Sequence, residues 1–169
     1  MKLVKLSVEQ EIKPFSCSDP DLNDFLNDDA RNFAKELLAV TYLLESDSDI
    51  IAYFSLFNDK INLKESARGE RKQVDGVIPH PKRYGSYPSV KIGRLAVSEK
   101  YAGKGHGGRI LDLIKSIFVR NNRTGCRYIT VDAYANATSF YEKNGFKFLT
   151  AKDAGEDTRL MYFDLKAII

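Results

Sequence analysis

Apolar Leu3, Val4 and Leu6 interleave with polar Lys2, Lys5 and Ser7 at the short period of a half-buried strand. The period then lengthens. Asp19-Pro20 supplies a helix cap followed by proline at the first helical position, and Leu22, Phe25, Leu26, Ala30, Phe33 and Leu37 fall on one helical face. Val40 to Glu45 and Ile50 to Phe57 are rich in β-branched and aromatic residues around the turn Ser46-Asp47-Ser48-Asp49, so they predict an antiparallel hairpin. From 58 to 90 the periodicity weakens among Gly, Pro and Lys/Arg, and the reading is a short helix plus a long loop. A strand from Val90, a glycine turn and a helix to about Asn121 follow; Ile110, Ile114, Ile117 and Phe118 recur at core spacing in that helix. The chain closes with a strand from Tyr128, a helix from Ala137 to Asn144, a strand from Phe146 to Leu149 and a strand from Leu160 to Leu165. A strand–helix–strand unit requires a right-handed parallel crossover, and the hairpin requires antiparallel pairing. The expectation is an α/β fold with a mixed central sheet of about six to seven strands and helices on both faces.

At 169 residues and 43% hydrophobic content, the chain suits one domain spanning 1–169 and no more. No apolar run is long enough to cross a bilayer, and the charged start has no signal-peptide core, so a cytoplasmic protein without a membrane partner is expected. Cys17 and Cys126 stand far apart in neither metal nor redox spacing, and no metal site is expected. The net charge of +3 hides an uneven distribution: residues 1–59 carry −7, residues 60–94 +6 and residues 95–169 +4. The basic remainder fits a polyanionic cofactor or nucleic acid, although a solvated face explains a charge run equally well.

One segment gives that charge a purpose. Ile92 to Gly108 reads as an apolar strand, a turn containing Gly103, Gly105, Gly107 and Gly108, and the start of an amphipathic helix. Glycines permit positive φ and close main-chain approach, and a helix N-terminus presents unpaired N–H groups, so the arrangement is suited to a phosphate or pyrophosphate. Lys104, His106 and Arg109 add positive charge. No Gly-Lys-Ser/Thr closes the turn and no acidic residue about twenty positions on ends a second strand, which excludes a Walker loop and a dinucleotide fold. A second motif follows the helix, in Val131-Asp132-Ala133 and then Asn136 through Phe140-Tyr141-Glu142-Lys143-Asn144-Gly145-Phe146.

The two motifs, in this order and dense between Ile92 and Phe148, resemble the GCN5-related N-acetyltransferase (GNAT) superfamily, whose signature runs Arg/Gln-x-x-Gly-x-Gly/Ala. The resemblance implies acetyl-CoA as co-substrate and a sheet whose fourth and fifth strands splay apart for pantetheine. Leu95, Ala96 and Val97 would then contact pantetheine through the main chain, with the Val97 N–H as oxyanion donor. Ala102, Gly103, Lys104, Gly105, His106, Gly107 and Gly108 would hold the pyrophosphate. Ala102 is a departure, because it occupies the Arg/Gln position. Asn136, Ser139 and Lys143 are further cofactor contacts by resemblance, although Asn136 also reads as a helix cap. Tyr141 is the candidate proton donor for the leaving thiolate: an ordinary phenol, with pKa about 10, is protonated at neutral pH. No general base is assigned. Glu99 lies past the end of its strand, His80 sits in a proline-rich stretch, and His106 is expected to face ligand or solvent.

Acetyl transfer from a thioester to an amine needs no covalent enzyme intermediate, so the expected function is an acetyl-CoA-dependent N-acetyltransferase with a small-molecule or peptide amine as acceptor. A toxin-like acetyltransferase of aminoacyl-tRNA is the alternative. Similarity to such compact bacterial enzymes rests on Leu22 to Leu26, Gly93 to Val97 and Val131 to Ala133, with Lys100, Lys104, Arg109, Arg120, Arg123 and residues 60–94 as a basic surface for tRNA. A non-catalytic acyl-CoA-binding module is the alternative from another class, and a homodimer is an open option.

Overall fold

The computed structural model describes residues 1–63, 68–79, 84–120, 122 and 124–169. Seven strands follow the order β1-β2-β3-β4-β5-β7-β6 in a mixed sheet. The chain divides into two compact units, Met1–Phe57 with Ile92–Ile114, and Asn58–Lys91 with Lys115–Ile169. Three elements, β3 (Ile50–Asn62), β4 (Ser86–Val97) and α4 (His106–Arg120), each contribute residues to both.

In the first unit, β1 (Lys2–Lys5) pairs antiparallel with β2 (Val40–Glu45), which forms the expected hairpin with β3. Thr41 lies opposite Ser55, and their buried hydroxyls meet at 2.7 Å, so neither is left unpaired. The helical path opens as its sequence demands, with the Asp19 carboxylate accepting from the Asp21 N–H and Pro20 in the first turn. It runs through α1 (Pro20–Asp24), a π-helical turn over Phe25–Asp29 and α2 (Ala30–Lys35). Phe25, Leu26 and Ala30 bury against Leu43, Ile50, Tyr53 and Ala96, while Leu22 and Phe33 pack at the edge. Leu37 departs from the expected helical face. The helix ends at Lys35; Leu37 adopts φ +57 and is 91% exposed. The Leu37 N–H donates to Ala34 O at 3.2 Å and the Leu38 N–H to Phe33 O at 2.9 Å, which is a Schellman stop with leucine at the position glycine usually fills.

In the second unit, β4 and β5 (Tyr128–Tyr134) pair in parallel over Ser89–Lys91 and Tyr128–Thr130, and β4 itself runs on to Val97. β7 (Thr158–Asp164) lies antiparallel to β5 and to β6 (Lys147–Phe148). The core here is aromatic: Tyr87, Tyr128 and Tyr162 surround Val74, Ile61, Leu63 and Leu149, and the buried Tyr128 hydroxyl donates to Val74 O at 2.9 Å. The 58–90 stretch holds more regular structure than its pattern indicates. β3 continues to Asn62, α3 spans Arg68–Asp75, and β4 begins at Ser86. Alternation of Asn58, Asp59, Lys60, Ile61 and Asn62 is mostly polar, so the strand is recognisable only by the partner it meets. Among the described residues no helix is long and apolar enough to cross a membrane. Cys17 and Cys126 are free and buried, and burial pushes both thiols up.

Candidate functional site

The first unit carries the strand end and the glycine turn. Along β4, Ala96 is buried in the core with Phe25 and Leu26, whereas Leu95 and Val97 are half-buried. The strand terminus is pinned by two main-chain bonds, Ser98 N–H to Ile51 O at 2.9 Å and Glu99 N–H to Ser16 O at 3.0 Å. A single tight turn over Glu99–Tyr101 leads into Ala102, Gly103, Lys104 and Gly105, all exposed. Gly103 and Gly105 adopt φ of +73 and +75, with nothing within 4 Å of where a Cβ would project. Positive φ is therefore needed at two of the four glycines. Gly107 and Gly108 lie in the first turn of α4, and Gly105, immediately before it, has no side chain with which to cap their amides. His106, expected toward ligand or solvent, is instead buried, edge-on to the Tyr101 ring at 6.2 Å.

Tyr101 and Asp49 make contacts beside this turn that the sequence did not reveal. The Asp49 carboxylate accepts from Lys100 Nζ at 2.6 Å, Ser48 Oγ at 2.9 Å and the Tyr101 hydroxyl at 3.2 Å. Hydrogen bonding from Lys100 holds Asp49 below the usual carboxylate range and raises Lys100 in return. Lys104 and Lys100 place their ammoniums 5.2 and 5.6 Å from the Tyr101 ring centroid, and Lys104 Nζ donates to Lys100 O at 3.2 Å. The two partners stand about fifty positions apart, and no local pattern links a turn aspartate to a distant tyrosine. On β4, Arg94 stacks over Phe25 at 5.0 Å, and its Nε has no hydrogen-bond partner among the described residues.

The second unit carries the tyrosine helix. After β5 comes one tight turn, Ala135–Ala137, and then α5 (Thr138–Lys143). Ala137, not Asn136, is its cap residue and makes no side-chain cap bond, so Asn136 is exposed and not engaged as a cap. Ser139 and Lys143 are exposed as well. The helix stops in a second Schellman motif: Gly145 N–H donates to Glu142 O at 2.9 Å, Phe146 N–H to Tyr141 O at 3.0 Å, and Gly145 takes φ +84. The accompanying apolar contact is Tyr141 against Phe146, with centroids 5.4 Å apart. Phe-Tyr-Glu-Lys-Asn-Gly-Phe is thus a helix stop that fixes the Tyr141 ring. Lys115 supports it from α4, donating from Nζ to Asn144 O at 2.8 Å, with its ammonium 4.5 Å from the Phe163 ring centroid.

Tyr141 is 7% exposed and burial pushes its phenol up to about 12, so it is a weaker acid than an ordinary tyrosine. Its hydroxyl has no hydrogen-bond partner among the described residues and is not one of the fully buried atoms left without one, so the tip of the side chain is not sealed into the core. Glu99 is exposed as expected, and so are Lys100, Lys104, Arg109 and Arg120. His80 and Arg123 lie outside the described residues.

Comparison with known proteins bears on these two halves. The model of the acetyltransferase (GNAT) domain family matches residues 39–148. A crystal structure of a bacterial toxin is similar at 16% identity and TM-score 0.80, covering 99% of this chain and 92% of that one. AtaT complexed with acetyl-methionyl-tRNAfMet is similar at 21% identity and TM-score 0.76, covering 99% and 96%. A mutant AtaT toxin bound to the C-terminus of the antitoxin AtaR and acetyl-CoA is similar at 20% identity and TM-score 0.71, covering 99% and 94%.

Proposed function

Because the chain belongs to the GNAT acetyltransferase family, we propose that it transfers the acetyl group of acetyl-CoA directly to a primary amine, and that this amine is the α-amino group of an aminoacyl-tRNA. The glycine turn carries the donor half of the reading. Two residues at positive φ and an uncapped helix start offer main-chain N–H groups to a diphosphate, and the open space around Gly103 and Gly105 suits a ligand pressed against backbone. Leu95, Ala96 and Val97 would pair with pantetheine through main-chain groups, with the Val97 N–H receiving the oxyanion. That role is supported by the β4–β5 ladder, which covers Ser89–Lys91 while β4 continues to Val97.

Ala102, Gly103, Lys104, Gly105, His106, Gly107 and Gly108 form the pyrophosphate segment, His106 acting through its main chain because its ring is buried. Tyr141 gives its proton to the thiolate as the carbon–sulfur bond breaks, and the proton released by the acceptor ammonium goes to solvent or back to the phenolate. With a phenol at about 12, Tyr141 enters every turnover protonated. The exposed Asn136, Ser139 and Lys143 are available to the cofactor.

The acceptor half leans on likeness over 99% of the chain to a protein described in complex with acetyl-methionyl-tRNAfMet, together with the exposed cations Lys100, Lys104, Arg109 and Arg120. On this reading the chain works as one acyltransferase domain in the cytoplasm and has an antitoxin-type partner. The test is mass spectrometry after incubation with acetyl-CoA and either charged tRNA or a panel of free amines and peptides. N-acetylaminoacyl-tRNA is the expected product. Acetylated free amines with untouched tRNA would instead support the small-molecule reading, and acetyl-CoA uptake with no product at all would make the chain a binding module.

A further inference from the structure

The glycine turn has little to hold it. Its bonds among the described residues lie at its ends, Tyr101 N–H to Ser98 O, Ala102 N–H to Glu99 O and Arg109 N–H to Gly105 O, with Lys104 Nζ reaching back to Lys100 O, and Ala102 has only a methyl group to add. Ordering such backbone costs conformational entropy, and a turn ordered only by its ligand takes that cost out of affinity. We infer that Asp49, in the turn between β2 and β3, is a positioning residue for this segment, bracing it through Lys100 and Tyr101. The inference rests on the acetyl-CoA reading above.

Asp49 is itself anchored, since its N–H donates to Ser46 Oγ at 3.0 Å and its carbonyl accepts from the Ser46 N–H at 2.9 Å. From that fixed point its carboxylate takes Lys100 Nζ and the Tyr101 hydroxyl. Tyr101 then joins both ends of the turn: Lys100 and Lys104 sit over its ring, and His106, the first residue of α4, meets it edge-on. The ring closes the neck of the turn while the glycines remain free to face a ligand. A surface ion pair contributes little to global stability. The effect of the brace is therefore read in cofactor affinity.

Asp49→Asn and Tyr101→Phe test this by calorimetry with CoA, steady-state kinetics and thermal melts. For Asp49→Asn the CoA Kd and the acetyl-CoA KM rise about three- to tenfold, as expected for one lost charge-assisted contact. The value of kcat at saturating acetyl-CoA stays within about twofold, and Tm within about 2 °C. Tyr101→Phe shows the same pattern more weakly. Wild-type Kd in Asp49→Asn overturns the brace and leaves the acetyltransferase reading standing. A fall in kcat and Tm together with the affinity overturns it in favour of a general folding role. Wild-type protein that takes up no CoA removes the acetyl-CoA reading first, and the brace with it.

Discussion

Tyr141 could not be told from the other tyrosines of this chain by composition; its place in Phe-Tyr-Glu-Lys-x-Gly-Phe singles it out, and the structure supplies the reason. Its main-chain oxygen accepts the closing bond of the helix stop and its ring is held by Phe146, so the hydroxyl is presented at a fixed angle. Replacing it with phenylalanine keeps that packing and removes the hydroxyl, and with it the proton to be donated. Tyr141→Phe is expected to bind acetyl-CoA with unchanged affinity, by calorimetry, while kcat falls about 10²- to 10⁴-fold. Equal turnover in the two proteins would remove Tyr141 from the chemistry. Because burial lifts the phenol to about 12, the wild-type kcat profile should show no alkaline decline from this group below about pH 10. His106 teaches the opposite lesson. The sequence reading turns its ring toward ligand or solvent, and its position at the neck of the turn buries the ring against Tyr101 instead.

Two helix ends make a natural pair. Both α2 and α5 finish in Schellman motifs, one with Leu37 at φ +57 and the other with Gly145 at φ +84. A side chain in the left-handed region costs about 1–2 kcal/mol, so the two positions should respond oppositely to substitution. Leu37→Gly relieves the strain and removes a 91% exposed leucine; we expect a gain of about 1 kcal/mol, read as a Tm higher by roughly 2–4 °C. Gly145→Ala imposes the same strain and brings a Cβ to 3.0 Å from Phe163, so Tm should fall by at least a comparable amount. If Leu37→Gly melted lower than wild type, the helix stop would not have the energetics assigned to it. The sequence reading places the stop at Gly145 correctly, since glycine after a helical run is a local signal. It put Leu37 on the helix face because a leucine at helical spacing says nothing of where the helix ends.

The buried tyrosines give the whole molecule a pH dependence. Burial raises the phenols of Tyr53, Tyr128, Tyr141 and Tyr162 above their ordinary value. The folded state then holds these protons more tightly than the unfolded chain does. Their contribution is complete below about pH 10, where the unfolded phenol is still protonated, and it declines as pH rises toward the folded values, reached for Tyr141 at about 12. Denaturant melts from pH 7 to 11 should therefore show no tyrosine-linked loss up to about pH 9.5 and a progressive loss above it. A stability that stayed flat through pH 11 would contradict the burial of these rings. Local chemistry in the chain was sufficient to identify the α/β order, the hairpin, the glycine turn before α4 and the Phe-Tyr motif, because each depends on residues adjacent or one helical turn apart. Tertiary structure alone decided that a polar stretch continues β3 to Asn62, that His106 is buried, that Lys115 reaches Asn144, and that Asp49 meets Lys100 and Tyr101. His106 meets Tyr101 five positions away through the fold of the turn; the other three are each settled by a partner far along the chain, and a side chain's spacing from its sequence neighbours carries no information about which distant group will meet it.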